Sequence, residues 1–389
     1  MKPFLRSLTL IATVVLLALP FQTRAQGPIH SWGQDVQGSV LDTPTGNDFI
    51  SASAGFWFSV ALRADGTLIA WGDGAYNVVA ATPEIAGFTD VWAGGEFCLA
   101  RRTDGTLWGW GADYVDQITN IPTGTDFVAV SPGFGHTIVL RSDGTLTSWG
   151  LDYDGQVSQT PAEANHLEIS AGTFHSMALR ADGSIVSWGS DGDGEVSNTP
   201  TATGFIGIAA GTRHSIALKA DGTLVGWGSD QYGNVSGIPA GNDFILVQSG
   251  GYADMAMRMD GSFVVWGSDL SGLVSNAPKA AGYTLASIGG YHGLVLGHPI
   301  GTAPIQELKN AVTQLITLGA LLPANGQSLY AKLNTASAQL AAGNVQGAID
   351  SLLGFINQVK SFVKTGKLSA SNGAELIATA QAIIDTLST

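Results

Sequence analysis

The sequence predicts a mainly β protein: a seven-bladed β-propeller closed by pairing its N- and C-terminal strands, then a small all-α four-helix bundle. Three observations predict this. A Trp-Gly pair recurs every 39 residues from Trp32 to Trp266, seven times in all. Proline, from Pro44 to Pro278, and glycine, from Gly55 to Gly289, keep the same step. After residue 298 tryptophan disappears and Ala, Leu and Gln dominate at helical spacing. A period near 40 residues, built from several short strands, is the mark of a propeller blade.

Residues 1–25 stand apart. Lys2 and Arg6 precede an uncharged run of 14 residues, Leu8 to Phe21, and Thr23-Arg24-Ala25 supplies small residues before Gln26. This pattern predicts a signal peptide cut after Ala25, and hence a secreted protein, periplasmic or extracellular. The run is shorter than the ~20 residues of a membrane span. A single cysteine, Cys98, excludes a disulfide framework and any multi-thiolate zinc site.

Residues 26–298 form the ring, 273 residues or seven repeats of 39. In one repeat, Phe205 to Ala210 and His214 to Leu218 read as strands. Asp221-Gly222 is a hairpin signal, and Thr223 to Gly228 is a third strand. A shorter fourth strand is expected around Val235. A blade cannot bury its own faces, so the Trp column and the Phe column that starts at Phe49 should fill the layers between blades. The chain enters at Ile29 to Gly33, the late half of a repeat, and leaves after Gly289 to Gly297, the early half of one. The two halves complete one blade and remove its exposed edges.

The motif Gly-x-x-His-Ser-x-Ala-Leu-x-x-Asp-Gly-x-Leu-x-x-Trp-Gly, standing as Gly211 to Gly228, resembles the RCC1 repeat, and Gly172 to Gly189 follows it with Ile185 at the Leu position. The resemblance covers residues 26–298 and implies a seven-bladed propeller. The short repeats look like those of secreted bacterial relatives, which include a proteinaceous β-lactamase inhibitor. Nucleotide exchange and chromatin binding, known in nuclear members, do not transfer. The ring holds 9 Lys and Arg against 27 Asp and Glu, a net of −18 that repels nucleic acid.

Residues 299–304 read as a linker, and 305–389 as helices. The helical region is a duplication: Gly319, Leu321, Asn325, Gly326 and Leu329 recur 47 residues later as Gly366, Leu368, Asn372, Gly373 and Leu376. Each copy is a helix, a glycine stop and a second helix, and two such hairpins make a bundle. The stretch from Phe355-Ile356-Asn357-Gln358-Val359 to Leu376 resembles the FIMAH module of secreted bacterial proteins.

Few residues suggest chemistry. His136, His175, His214 and His292 share one column, expected to hydrogen-bond within each blade. The Asp-Gly aspartates suit turns. A second acidic column follows Trp-Gly, and Asp191, Asp193 and Glu195 there form a weak calcium candidate without a full ligand set. No catalytic motif occurs, and no cofactor beyond that possible calcium is expected. Residues shared by all blades serve the scaffold, so function belongs where repeats disagree. The second residue after each column glycine varies freely: Trp57, Glu96, Gly135, Phe174, Arg213, Tyr252 and Tyr291. Aromatics with one Arg and one Glu match the composition of interface hot spots. The loops after Trp-Gly, such as Tyr114-Val115 and Gln231-Tyr232, form a second variable ring. The expectation is a non-catalytic, monomeric binding protein for a protein or cell-surface glycan. The alternatives are a polysaccharide hydrolase or lyase with carboxylates in a central pocket and, from the resemblance alone, a β-lactamase inhibitor.

Overall fold

The computed structural model describes residues 26–259, 261–279, 283–297 and 302–387. The expected signal segment, residues 1–25, and residues 299–301 of the expected linker lie outside the described residues. Residues 26–277 and 284–297 form one compact unit and the helices another.

The first unit contains seven three-stranded antiparallel sheets. In the fifth, the inner strand Phe205–Ala210 pairs with the middle strand His214–Lys219, which pairs with the outer strand Leu224–Gly228. Gly222 makes the hairpin turn at φ 84°, which a Cβ would strain. Blades one to six span 49–72, 88–111, 127–150, 166–189, 205–228 and 244–267. The seventh takes Leu285–Ile288 and His292–Leu296 from the end of the ring and Ile29–Gly33 from its start, with Trp32 opposite Gly293.

The expected fourth strand does not form. In the fifth repeat Asp230 accepts the N–H groups of Val235 and Ser236, both at 2.9 Å. Those bonds fold the segment back as turns and use the donors a strand would offer a neighbour. Asp35, Asp113, Asp152, Asp191 and Asp269 do the same.

Cores lie between blades. Phe58 and Val60 of blade one pack with Phe88 and Trp110 of blade two, and Phe97 of blade two packs with Phe127 and Trp149 of blade three. In the Trp-Gly column, each indole N–H from Trp71 to Trp266 donates to a carbonyl 32 residues earlier, as Trp227 does to Glu195 at 2.8 Å. Trp32 makes the same bond to Leu273, across the join between the two ends. There too the N–H of Ala54 donates to Ser287 Oγ, and that of Gly290 to the carbonyl of Gly55.

The second unit has four helices: α1 (Thr302–Thr317), α2 (Pro323–Ala341), α3 (Val345–Lys364) and α4 (Ala370–Leu387). Helix α1 begins inside the stretch read as linker. Pro304 falls in its first turn, where the missing N–H has no intrahelical role. Leu308, Val312, Leu333, Leu352, Phe355 and Val359 are buried together. The duplication survives in the packing. A Cβ on Gly326 would strike Ile316, and one on Gly373 would strike Val363, each pair 47 residues from the other.

Candidate functional site

The inner and middle strands of each blade are joined by a short turn, so the variable column rings one end of the propeller. Three of its members come together. Tyr252 lies 6.3 Å from Tyr291, and Tyr291 stacks on Trp57 at 6.0 Å with planes 8° apart. Tyr232, from a loop after Trp-Gly, meets Tyr252 edge-on at 5.4 Å. The two variable rings therefore merge on one face. The other members stand apart. Glu96 accepts a hydrogen bond from the Tyr114 hydroxyl at 2.9 Å, and Tyr114 lies 6.0 Å from Tyr76. Arg213, exposed, reaches Asp193 at 3.3 Å. Phe174 is half-buried and joins none of these pairs.

Sequence reasoning missed two residues of the cluster. Phe56 and Phe134 sit one place before the variable column and meet edge-on at 5.4 Å, although they belong to blades one and three. Phe56 also contacts Trp57 and Tyr291. The signal was present, because the other five members of that column are Gly95, Thr173, Thr212, Gly251 and Gly290. Small residues make room: a Cβ on Gly290 would stand 2.9 Å from the Phe56 ring.

Beside the cluster is a pocket of about 190 Å³, lined by Tyr232, Tyr252, Tyr291, Gln34, Ser268 and Ser271 with Leu270, Leu273 and Gly290. Burial, reinforced by Tyr252 and Tyr232, raises the Tyr291 hydroxyl above its ordinary pKa. The Tyr291 phenol therefore stays protonated at neutral pH and can both donate and accept.

A second cavity, about 340 Å³, is lined by all seven blades, with Phe56 and Phe134 among its walls. Its serines work as joints between blades. Ser53, Ser131, Ser170 and Ser287 accept the N–H groups of Ala93, Ala171, Ala210 and Ala54. Glu168 is the one carboxylate among the lining residues. It accepts the Ile208 N–H at 3.2 Å, and burial pushes its pKa up to about 7. Hydrolysis of a glycosidic bond by paired carboxylates needs a second acid nearby, and this lining holds none.

The histidines bond between blades, not within them. His136, His175 and His292 pair through Nε2 with Ser176, Ser215 and Ser59 at 2.9, 2.9 and 2.6 Å. Each of these histidines opens the middle strand of its blade, and its partner is the second residue of the next blade's middle strand. His214 pairs with Asp254 at 2.7 Å, and Ser249 bonds both. Asp254 and Ser249 crowd the same histidine nitrogen. A nucleophilic triad instead places acid and serine on opposite nitrogens.

The calcium candidate does not assemble. Asp191 holds the N–H groups of Val196 and Ser197, Asp193 meets Arg213, and buried Glu195 accepts the N–H of Asp193 at 2.7 Å. Gln117 and Gln156 accept equivalent bonds, so Glu195 acts as a loop brace. Among the described residues, no three His, Cys, Asp or Glu side chains group to hold a metal.

Residues 49–77, 127–156, 168–195 and 205–234 match the Regulator of chromosome condensation (RCC1) repeat, and 305–385 match the FIMAH domain. The chain carries RCC1 repeats and a FIMAH domain. The RCC1 ring is similar to yeast RCC1 (Prp20) bound to Kap60, at 18% identity and a TM-score of 0.58, covering 71% of this chain and 90% of that one. It is similar to human WBSCR16 at 15% identity and 0.56, covering 70% and 99%. It also resembles the ectodomain of the Physcomitrella patens receptor kinase CR4 at 21% and 0.51, covering 63% and 69%. At these identities the likeness shows the fold alone. No curated protein matches the chain. No helix among the described residues is long and apolar enough to cross a membrane.

Proposed function

We propose that the protein is a secreted, monomeric, non-catalytic binding protein that captures a protein or cell-surface glycan on the turn face of its RCC1 ring. Residues 1–25 are its leader, 26–298 its binding ring, and the FIMAH region from 305 to 389 a spacer or docking piece. One observation carries the reading: the run of aromatic rings from Tyr232 through Tyr252, Tyr291 and Trp57 to Phe56 and Phe134. Aromatic side chains concentrated on one face supply most of the energy of many interfaces. Arg213 and Glu96 flank the cluster and set the orientation of the partner. The excess of 27 acidic over 9 basic residues in the ring disfavours a nucleic-acid partner.

The test is affinity capture from extracellular medium with residues 26–389. Replacing Trp57, Tyr252 and Tyr291 by alanine abolishes partner capture and leaves the melting of the ring nearly unchanged. Equal capture by the triple variant overturns the assignment.

A further inference from the structure

We propose that the pocket between Tyr232, Tyr252 and Tyr291 is a subsite for one uncharged sugar ring, so that the partner held on the turn face is a neutral glycan. This rests on the binding role proposed above and names its ligand class.

The pocket is small. At about 190 Å³ it falls below the ~300 Å³ where drug-sized sites begin, and it suits a single ring rather than a whole ligand. Its walls are mixed. Tyr232 and Tyr252 meet at 72° and Tyr252 and Tyr291 at 59°, so ring faces and edges both line the space. Gln34, Ser268 and Ser271 add an amide and two hydroxyls. Each of these polar groups, and each phenol, can donate and accept.

That lining selects among occupants. No charged side chain lines the pocket, although the ring around it is strongly acidic. A charged ligand group would lose its water without gaining a counter-charge. An apolar side chain would cover Gln34, Ser268 and Ser271 and strip their hydrogen bonds to water without replacing them. A proline ring fits the aromatic walls but offers no hydroxyls to the amide and serines. A sugar ring satisfies both demands: C–H faces for the tyrosines and hydroxyls for the polar groups. The Trp57 and Phe56 rings continue the platform beyond the pocket, where further residues of the same chain can stack.

The experiment is titration of the full mature chain with neutral oligosaccharides (cello-, malto- and N-acetylchito-hexaose), a charged one (hexagalacturonate) and a proline-rich peptide, read by calorimetry. We expect saturable binding to at least one neutral hexaose and none to hexagalacturonate. Gln34→Ala, an exposed change, and Tyr252→Ala each weaken that binding tenfold or more. Tyr252→Phe keeps the ring and loses the hydroxyl, and weakens it less. Met259→Ala, an exposed change at the opposite end of blade six, leaves it unchanged. No neutral hexaose binding, or tighter binding of the peptide or the charged sugar, overturns the subsite. If capture from medium still depends on Trp57 while no sugar binds, the sugar assignment fails and the binding face stands. If a sugar binds with full affinity to the Tyr252→Ala and Gln34→Ala variants, the pocket is wrong.

Discussion

The surfaces between blades and the face at their turns obey different rules. Between blades, residues change in pairs one repeat step apart. His136 meets Ser176, but where Asp254 replaces the serine, His214 gains an acid and Ser249 and Asn234 close around it. Ser53, Ser131 and Ser170 accept the N–H of Ala93, Ala171 and Ala210. Where the partner is Pro132, which has no N–H, Trp92 stands in place of the serine; Ala209 and Gln248 also replace it, opposite Ser249 and Ile288. On the turn face, Trp57, Glu96, Gly135, Phe174, Arg213, Tyr252 and Tyr291 show no such coupling. A closed ring makes each blade fit the next, so changes such as those at Asp254 and Pro132 come with a matching change on the neighbour. The face carries no such condition and is free to encode a partner.

The largest expected effect is acid sensitivity of the joints. Burial lowers the pKa of His136 and His292 to about 4 and that of His175 to about 3. Unfolded, each titrates near 6.5. Between these values the unfolded chain binds protons that the folded ring does not. Stability is therefore full above about pH 6.5 and falls as pH drops toward 4, by several kcal/mol for the three together. All ten tryptophans lie at or before Trp266, so intrinsic fluorescence follows the ring without the helices. Chemical denaturation at pH 7 and pH 4.5 measures the loss. A midpoint that does not move between them breaks the picture of neutral histidine joints.

Next in size is Asp254, fully buried and holding His214, Asn234 and Ser249. Asp254→Ala strands three polar partners and should cost about 3 kcal/mol. Asp254→Ser restores the residue found at Ser176 and Ser215 and should cost less than half of that. Equal losses would show that this joint is not an exchangeable version of the others.

These joints mark where sequence legibility ends. The 39-residue columns made the ring visible because a repeat repeats its turn chemistry: each Asp-Gly and each Trp-Gly points to a backbone requirement. The 47-residue echo exposed the two helical hairpins in the same way. The histidine bonds were misplaced within one blade because a repeat pattern aligns residues without saying which neighbour they touch. The expected fourth strand failed because Val235 looks like a strand residue, and only the geometry of Asp230 shows its N–H to be taken. Phe56 and Phe134 lie outside the most variable column. Their own column is quieter, small at five places, and its two large residues project from separate blades to one point.

Glu168 tests the reverse sign inside the same ring. Burial holds its carboxyl up to about 7, while the unfolded chain releases that proton near 4.5. The stability linked to it is full below about pH 4.5 and is lost as pH rises through 7. Glu168→Gln keeps an acceptor for the Ile208 N–H and removes the charge. It should stabilise the ring by about 2 kcal/mol at pH 8 and change little at pH 4.5. It also removes the one trend that opposes the histidines, so acid sensitivity steepens in the variant. Stabilisation that is equal at both pH values would deny a raised pKa.

The finest test is the joint whose partner has no N–H to give. Pro132→Ala alone supplies an N–H opposite Trp92, which cannot accept it. Trp92→Ser alone supplies an acceptor with nothing to bond and loses the packing of Trp92 with Phe97, Phe127 and Arg101. Each single change should therefore destabilise the ring or leave it unchanged. Together they recreate the joint formed by Ser131 and Ala171. The pair should be better than the sum of its parts by about 1 kcal/mol, the net value of one protein hydrogen bond. A double-mutant cycle by fluorescence-detected unfolding measures that coupling directly. Coupling near zero would mean that Trp92 and Pro132 differ from their columns independently, and that interior changes in this ring are as free as those on its face.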